Sequence, residues 1–511
     1  MTKQEFLNIV DKLANKFNGA GVTNPVSYIE QISFLFFLKM LEEWDDDKVQ
    51  ASKISDKKFN SIFLGDNEKF RFSTWSQIPN NEEMFKFVRD EVLVFMVGLQ
   101  DHEDVKRFFR DVRFMIPDAI TLREVVDLIS PINFSQIDTD IKGDAYEHLV
   151  GKLATSGRNG QFRTPRHIIR TIVQLVDPKI GQTILDPACG TAGFLIAAYE
   201  HIKANNSEKP AEATAENGSK YLKGHGDNLS EADWDKLQKD TFYGFDVSPD
   251  ISKIALMNMV LHGLDASHVY RRDSLAGVSD PFETMSFDVV LANPPFSSKD
   301  IALERLRQIL PIQAKDSTVL FLGLMVDALK PNGTCGVIVN EGVLFGRNKA
   351  SMAIRKYILD KTQLQAVVSL PQGVFNPYAG VKTSFLIFKN TGKPTEKVWF
   401  YEVENDGYSK GTQRRPQPDK NDLPHLLERW EEIKKNAASQ SEASEKDWWA
   451  DRKIIEENDY ILSASAYKPA GSGNEENHRD PKEILEELTK LDIELESQKN
   501  IIKKYLGGKR E

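Results

Sequence analysis

Phe287-Asp288-Val289-Val290-Leu291-Ala292-Asn293-Pro294-Pro295-Phe296 is the stretch whose reading decides the fold. Its first six residues form a short apolar run with a β-branched pair, Val289 and Val290. Such a run predicts a buried strand of a parallel sheet. Two prolines then end it. Proline lacks an N–H and fixes its own φ, so the chain leaves the sheet in a stiff extended turn. That turn presents an amide, outward carbonyls and an aromatic ring at the carboxyl end of a strand, where open α/β sheets bind ligands. Asn-Pro is also a common turn signal, so these residues alone fit a plain strand ending equally well. The sequence upstream separates the two readings.

There, Gln182 to Tyr199 reads as a strand, a Gly-rich turn and a helix. Gly190 and Gly193 allow a tight turn and the close approach of a ligand to the backbone. The following helix offers unpaired N–H groups. A second strand, Thr241 to Phe245, ends in Asp246. A third, Val269 to Arg271, ends in Asp273-Ser274. One acid at a strand end is usually a cap or a solvated loop residue. Three of them, Asp186, Asp246 and Asp273, each closing a predicted strand, point to a site. Further strands are expected at Cys335 to Val339, Leu364 to Ser369 and Thr383 to Phe388, the last two antiparallel because Pro371 to Gly380 is too short for a crossover helix. Alternating strands and helices from 168 to 390 predict a mostly parallel α/β sheet covered on both faces. Just before it, Gly157 to Arg166 is a Gly-rich loop. Thr164-Pro165 fits a helix start there, with Thr164 as cap, and from spacing alone the segment fits a ligand loop equally well.

Composition sets the outer limits. A chain of 511 residues predicts roughly two to four domains. With 40% hydrophobic and 28% charged residues it reads as an ordinary globular protein. Two cysteines, Cys189 and Cys335, imply no disulfide framework and no Cys-based metal site. The densest apolar run, Ile32 to Leu41, is too short to span a bilayer, and no signal-peptide pattern is evident, so a cytoplasmic protein is expected. The net charge of −10 argues against a chain that grips nucleic acid alone.

The ends are less informative. Residues 1–150 predict a helical domain. Gln4 to Phe17 has helical apolar spacing, Tyr28 to Trp44 is apolar around most of its circumference, and Glu82 to Val97, His102 to Phe109 and Gly143 to Leu153 follow. Residues 151–395 form the expected α/β domain, with a surface insertion at 203–237 and a charged loop or helix at Ser297 to Pro311. Residues 396–478 read as a polar tail, whose cluster Lys410, Arg414, Arg415 and Lys420 fits a solvated loop better than a DNA site. In 479–511, Ile484, Leu488, Leu491, Leu495, Ile502 and Tyr505 mark a coiled-coil seam, with Gln498 in the missing slot, more suited to a partner than to internal packing.

The Gly turn lacks the Gly-x-Gly-x-x-Gly dinucleotide fingerprint, and no phosphate-loop Lys-Ser/Thr is present. The ordered set instead resembles a known family. Asp186-Pro-Ala-Cys-Gly-Thr-Ala-Gly-Phe194 resembles the first motif of amino-methyltransferases that use S-adenosylmethionine, and Asn293-Pro-Pro-Phe296 resembles their catalytic motif. Gln161-Phe162-Arg163-Thr164-Pro165-Arg166 resembles the segment preceding the first motif in modification (M) subunits of type I restriction–modification systems. The resemblance covers nearly the whole chain. It implies a Rossmann-like methyltransferase fold and an adenine-specific N6 DNA methyltransferase.

By this resemblance Asn293, Pro294, Pro295 and Phe296 are catalytic. The Asn293 amide oxygen and the Pro294 carbonyl accept the two N–H groups of the target amine, and Phe296 stacks on a base flipped from the duplex. Asp186, Thr191, Ala192, Gly193 and the segment Gln161 to Arg166 line the cofactor. Asp246 holds its ribose and Asp273 its adenine amine. No metal is implied. Arg163 stands where the family usually has an aromatic, and Asp246 where Glu is more usual. The implied partners are double-stranded DNA, a specificity (S) subunit held by the coil at 481–506, a second copy of the chain and a restriction (R) subunit. Two alternatives are a methyltransferase acting on an RNA base or protein glutamine, and a non-catalytic assembly subunit. The helical front and the terminal coil disfavour the first. Intact Asn293 to Phe296 disfavours the second.

Overall fold

Residue alternation along the deciding strand divides the interior in two. Val289 and Leu291 enter a core shared with helices Arg166–Val176 and Gly193–Asn205. Val290 and Ala292 enter a second core with helices Ser317–Asp327 and Lys349–Lys361. Side chains on a strand point to opposite faces, so an all-apolar strand must be covered on both. The computed structural model describes residues 1–54, 59–99, 112–155, 164–264, 268–276, 285–296, 314–376, 381–411, 413–435 and 444–469, with isolated positions 105, 108, 109, 495, 498 and 499.

The central sheet contains β1 (Ile184–Asp186), β4 (Phe242–Asp246), β5 (Val269–Arg271), β6 (Phe287–Ala292), β7 (Leu329–Asn340), β8 (Gln363–Ser369), β9 (Thr383–Lys389), β10 (Lys397–Glu402) and β13 (Asp447–Asp451). Their order is β13-β10-β8-β9-β7-β6-β1-β4-β5. From β7 to β5 all neighbours are parallel, and β1 sits between β6 and β4. Strand β9 runs antiparallel to both β7 and β8, the reversal expected from the short 371–380 connection. This is the mostly parallel, Rossmann-like sheet the sequence predicts.

The stretch 396–478, expected as a polar tail, is corrected by the structure. It supplies β10, parallel to β8, and β13, antiparallel to β10, together with helix Leu423–Lys435. Trp399 and Trp448 are fully buried there, and Trp430 donates its indole N–H to the Leu175 carbonyl at 3.0 Å. Two small hairpins lie outside the sheet. One pairs β2 (Ala211–Thr214) with β3 (Lys220–Lys223), inside the expected insertion. The other pairs β11 (Asp406–Tyr408) with β12 (Pro416–Asn421).

The N-terminal region is helical, as expected. Helix Pro25–Ile54 buries Ile29, Ile32, Phe34, Leu35, Phe36 and Leu38, which explains its near-circumferential apolar pattern. It meets the sheet through helix Pro249–Leu261. Lys253 of that helix forms a buried ion pair with Glu30 at 2.7 Å. Gly143 of helix Thr139–Gly151 lies so close to His262 that a Cβ would stand 2.3 Å from the imidazole. The segment Ser297 to Pro311, most of His102 to Phe109, and the coil apart from Leu495, Gln498 and Lys499 lie outside the described residues.

Candidate active site

A cavity of ≈ 410 Å³ opens at the carboxyl ends of β1, β4, β5 and β6. Its size suits a cofactor-sized ligand. The two prolines fix the turn after β6, so Asn293, Pro294 and Pro295 all reach the lining. Asp186, Asp246 and Asp273, the three strand-end acids, line it too. The sequence places them some 87 residues apart, from 186 to 273, and adjacent parallel strands gather them.

Asp186 is 1% exposed, and among the described residues its Oδ1 accepts only the Ala188 N–H, at 3.1 Å. Burial, reinforced by the nearby Asp246 charge, pushes its carboxyl up to about 8. Asp246 accepts the Ser248 N–H at 2.8 Å and the Gly190 N–H at 3.2 Å, and burial raises its pKa against those bonds. No Lys, Arg or His among the described residues pairs with either carboxylate. A buried acid beside a half-buried one, without a cation, suits a ligand that brings a positive group and hydroxyl donors.

The Gly turn is shaped for the same purpose. Gly190 has φ +52, and a Cβ added there would meet nothing within 4 Å, so its bare backbone faces open cavity. Ala192 takes the left-handed region at φ 66 and precedes helix Gly193–Asn205. Its side chain is buried in the core, so it shapes the turn rather than lining the cavity. Thr191 and Gly193 do line it. Asn258 donates to the Thr191 carbonyl at 2.8 Å and holds the turn from behind.

Thr164 lines the cavity but does not cap the helix that follows it. Helix Arg166–Val176 begins after Pro165 with no side-chain cap. The Thr164 hydroxyl instead accepts a hydrogen bond from Asn293 Nδ2 at 2.8 Å. A local capping pattern has lost to a tertiary contact. This bond fixes which end of the amide faces the cavity. Asn293 Oδ1 is buried and has no hydrogen-bond partner among the described residues. An orphaned buried acceptor costs about 1–3 kcal/mol unless a ligand satisfies it.

Arg166 lines the cavity while paired with the buried Glu147 and, at 3.6 Å, with Asp144. Pro165 and Phe296 fall outside the lining. Phe296 is half-buried and meets Phe375 edge-on, with centroids 6.0 Å apart. Gln161, Phe162 and Arg163 lie outside the described residues. Sequence reasoning missed Val247, which lines the cavity at 67% exposure, and the roles of Asn258 and Glu147. The signals were an apolar residue directly after a strand-end acid, an amide inside an otherwise apolar helix, and an acid on a buried helix face.

Comparison with known proteins follows the same lines. The N-6 DNA Methylase family model matches residues 137–476, and the HsdM N-terminal domain matches 7–129. The type I restriction enzyme EcoEI methylase subunit of Escherichia coli is 29% identical over 396 residues, 75% of this chain and 74% of its own length. A structure described as explaining assembly and conformational transition of a type I R-M system superposes with a TM-score of 0.74 at 27% identity, covering 100% of both chains. A modification subunit of a putative type I restriction enzyme from Vibrio vulnificus superposes with a TM-score of 0.69 at 23% identity, over 89% of this chain and 93% of that one.

Proposed function

The chain belongs to the N-6 DNA methylase family and is a type I modification subunit that methylates adenine N6 in DNA; from that premise we propose how its residues carry the reaction. One observation supports the assignment above all: the orphaned Asn293 Oδ1 at the edge of a cavity lined by unpaired acids. An exocyclic amine is a poor nucleophile because its lone pair is delocalised into the ring. Asn293 Oδ1 accepts one amine hydrogen and the Pro294 carbonyl accepts the other. Together they draw the nitrogen toward a tetrahedral geometry with its lone pair aimed at the incoming methyl. Thr164 holds the amide so that oxygen, not nitrogen, faces the amine. Pro295 is anchored from behind, its carbonyl accepting from Ser317 at 3.0 Å and Thr318 at 3.5 Å. The turn is therefore preorganised for in-line transfer. Phe296, set edge-on against Phe375, offers a face to a flipped base.

S-adenosylmethionine supplies the activated methyl group when bound. Asp186 would take its ammonium, Asp246 its ribose hydroxyls and Asp273 its adenine amine, with Val247 against the ring and Thr191 and Gly193 close to the backbone. The proposed catalytic unit runs from 151 past 395 to at least 469, because β10 and β13 belong to its sheet. The N-terminal helices form the second unit. The proposed assembly contains a specificity subunit, a second copy of this chain and a restriction subunit, acting on double-stranded DNA in the cytoplasm. Leu495, on the expected seam, is 52% exposed, which suits a coil waiting for a partner. Methylation sequencing of host DNA with and without this chain tests the reading. N6-methyladenine at one sequence should disappear with the chain; an unchanged adenine methylome would refute it.

A further inference from the structure

One buried carboxylate is linked to both sides of the catalytic turn. Asp406 opens β11 and is 1% exposed. His167 Nε2 donates to its Oδ2 at 2.8 Å, and Arg414 pairs with its Oδ1. Tyr408 lies against both partners, with its ring 4.8 Å from the His167 ring and 5.2 Å from the Arg414 guanidinium. The Asp406 carbonyl accepts from Asn217, in the turn between β2 and β3, at 3.0 Å. Asn421 of β12 donates in turn to the Asn217 carbonyl at 2.7 Å. The acid is thus fixed where the two small hairpins meet helix Arg166–Val176. Burial raises its carboxyl, but the bonds from His167 and Arg414 outweigh burial and hold it below the usual carboxylate range. Burial also lowers His167, so a neutral ring donates through Nε2.

The first arm runs through His167. This residue lies in the first turn of its helix, just beyond Thr164, whose hydroxyl orients Asn293. That helix start has no side-chain cap, and Pro165 brings no N–H. Tertiary bonds hold it instead, from Arg166 to Glu147 and from His167 to Asp406. The second arm runs through Arg414. Its Nη1 donates to the Val374 carbonyl at 3.0 Å while its Nη2 holds Asp406. Val374 precedes Phe375, which meets Phe296 edge-on. The Arg414 side chain is only 14% exposed, so it turns inward from a cluster whose sequence fits a solvated loop. Its two prongs are divided between an acid and a loop carbonyl, a task for a planar fork rather than for the point charge of a lysine.

We propose that Asp406 is a positioning residue for methyl transfer, bracing Thr164 and Asn293 through His167 and the Phe296–Phe375 wall through Arg414. The inference rests on the methyl-transfer reading above. Asp406 itself lies outside the cavity lining. It acts by limiting the freedom of groups that reach the reacting atoms. Hydrogen bonds to an ionised group are about twice as strong as neutral ones, which suits a brace that must hold two elements at once. The two arms leave the acid through different residues, so each can be cut alone.

The test uses the full chain with its specificity subunit and a duplex containing the methylated sequence found in host DNA. The target position carries adenine for kinetics and fluorescent 2-aminopurine for base flipping. His167→Leu cuts the first arm and leaves the Asp406–Arg414 pair in place. A misplacement of about 1 Å can cost about 100-fold, so a partial loosening of Asn293 should lower kcat roughly tenfold. KM for the duplex and the 2-aminopurine signal should stay as in wild type. His167→Gln returns a side-chain N–H toward Asp406 and should recover most of kcat. Arg414→Met cuts the second arm. It should raise KM for the duplex about fivefold, the factor for one lost bond of ordinary strength, and weaken the 2-aminopurine signal. Arg414→Lys should restore the ion pair and the melting temperature while the signal stays weak. Lower melting temperatures with kcat, KM and signal unchanged per folded molecule make the cluster a stability element only; that result overturns the brace and leaves the enzyme reading standing. A His167→Leu loss confined to S-adenosylmethionine affinity overturns the first arm and with it the proposal. A wild-type complex that transfers no methyl group to DNA overturns both readings.

Discussion

Replacing Thr164 by Val tests the catalytic geometry where two readings of that residue diverge. Valine keeps the shape and removes the hydroxyl that accepts from Asn293 Nδ2 at 2.8 Å. The amide then has a buried donor without a partner, and its two orientations approach equal energy. A neutral hydrogen bond contributes about 0.5–1.5 kcal/mol, and an unsatisfied buried donor costs about 1–3 kcal/mol. If about 1–2 kcal/mol of this is felt in the transition state, kcat falls roughly 5- to 30-fold. KM for S-adenosylmethionine should hardly move, because the bond points at the catalytic amide. Thr164→Ser restores the hydroxyl and should recover most of kcat. Single-turnover transfer of labelled methyl to a target duplex, with cofactor affinity measured separately by calorimetry, gives both quantities. A raised cofactor KM with unchanged kcat would refute the positioning argument and return Thr164 to the cofactor-lining role expected from sequence. Failure of Ser to rescue would refute it too.

Asn293→Ala should abolish methyl transfer while calorimetry still detects cofactor binding; retained turnover would sink the catalytic assignment. Asp186 sets a pH dependence. Its folded pKa is raised from 3.8 to about 8, so its contribution to stability is full below 3.8 and is lost as pH rises toward 8. A cationic ligand group favours the ionised form, so cofactor affinity should rise by up to about tenfold per pH unit below 8 and then level off. Calorimetry in buffers of different ionisation enthalpy should detect proton release, and a flat profile would remove Asp186 from the cofactor. Lys253→Met leaves the Glu30 carboxylate buried and unpaired, at a cost of about 3–5 kcal/mol. Urea unfolding should show that loss, and Glu30→Leu/Lys253→Met should recover most of it. Deleting 481–511 should release the specificity subunit on size exclusion; an undisturbed complex would refute the coil's role.

The parts legible in the sequence were those encoded by local pattern. Apolar runs ended by Asp186, Asp246 and Asn293 gave the strands, their parallel arrangement and the cavity mouth, because a buried parallel strand has no polar face to disguise it. Where structure depends on distant partners, the pattern misled. Thr164-Pro165 has the chemistry of a helix start, and nothing nearby announces an amide from residue 293. The 396–478 stretch failed for a related reason. Its longest apolar run, Val398 to Tyr401 in β10, is flanked by long polar stretches, and β12 is exposed along most of its length. Its burial comes from pairing with β8 and from a few side-chain bonds, such as Trp399 Nε1 to Asp447 at 3.1 Å. Neither is visible as a period in sequence.

Helix Pro249–Leu261 bonds the Thr191 carbonyl through Asn258, pairs with Glu30 through Lys253, and leads into His262 against Gly143. The Gly turn and the N-terminal helices therefore share one connecting helix and one continuous core. Such regions unfold as a single cooperative unit rather than as two beads on a string. Removing the N-terminal helices would not free a smaller working enzyme, because it would leave Lys253 without Glu30 and bare the far side of the helix that holds the Gly turn. A partner that displaced those helices would push on the Gly turn through the same helix, by way of Lys253 and Asn258.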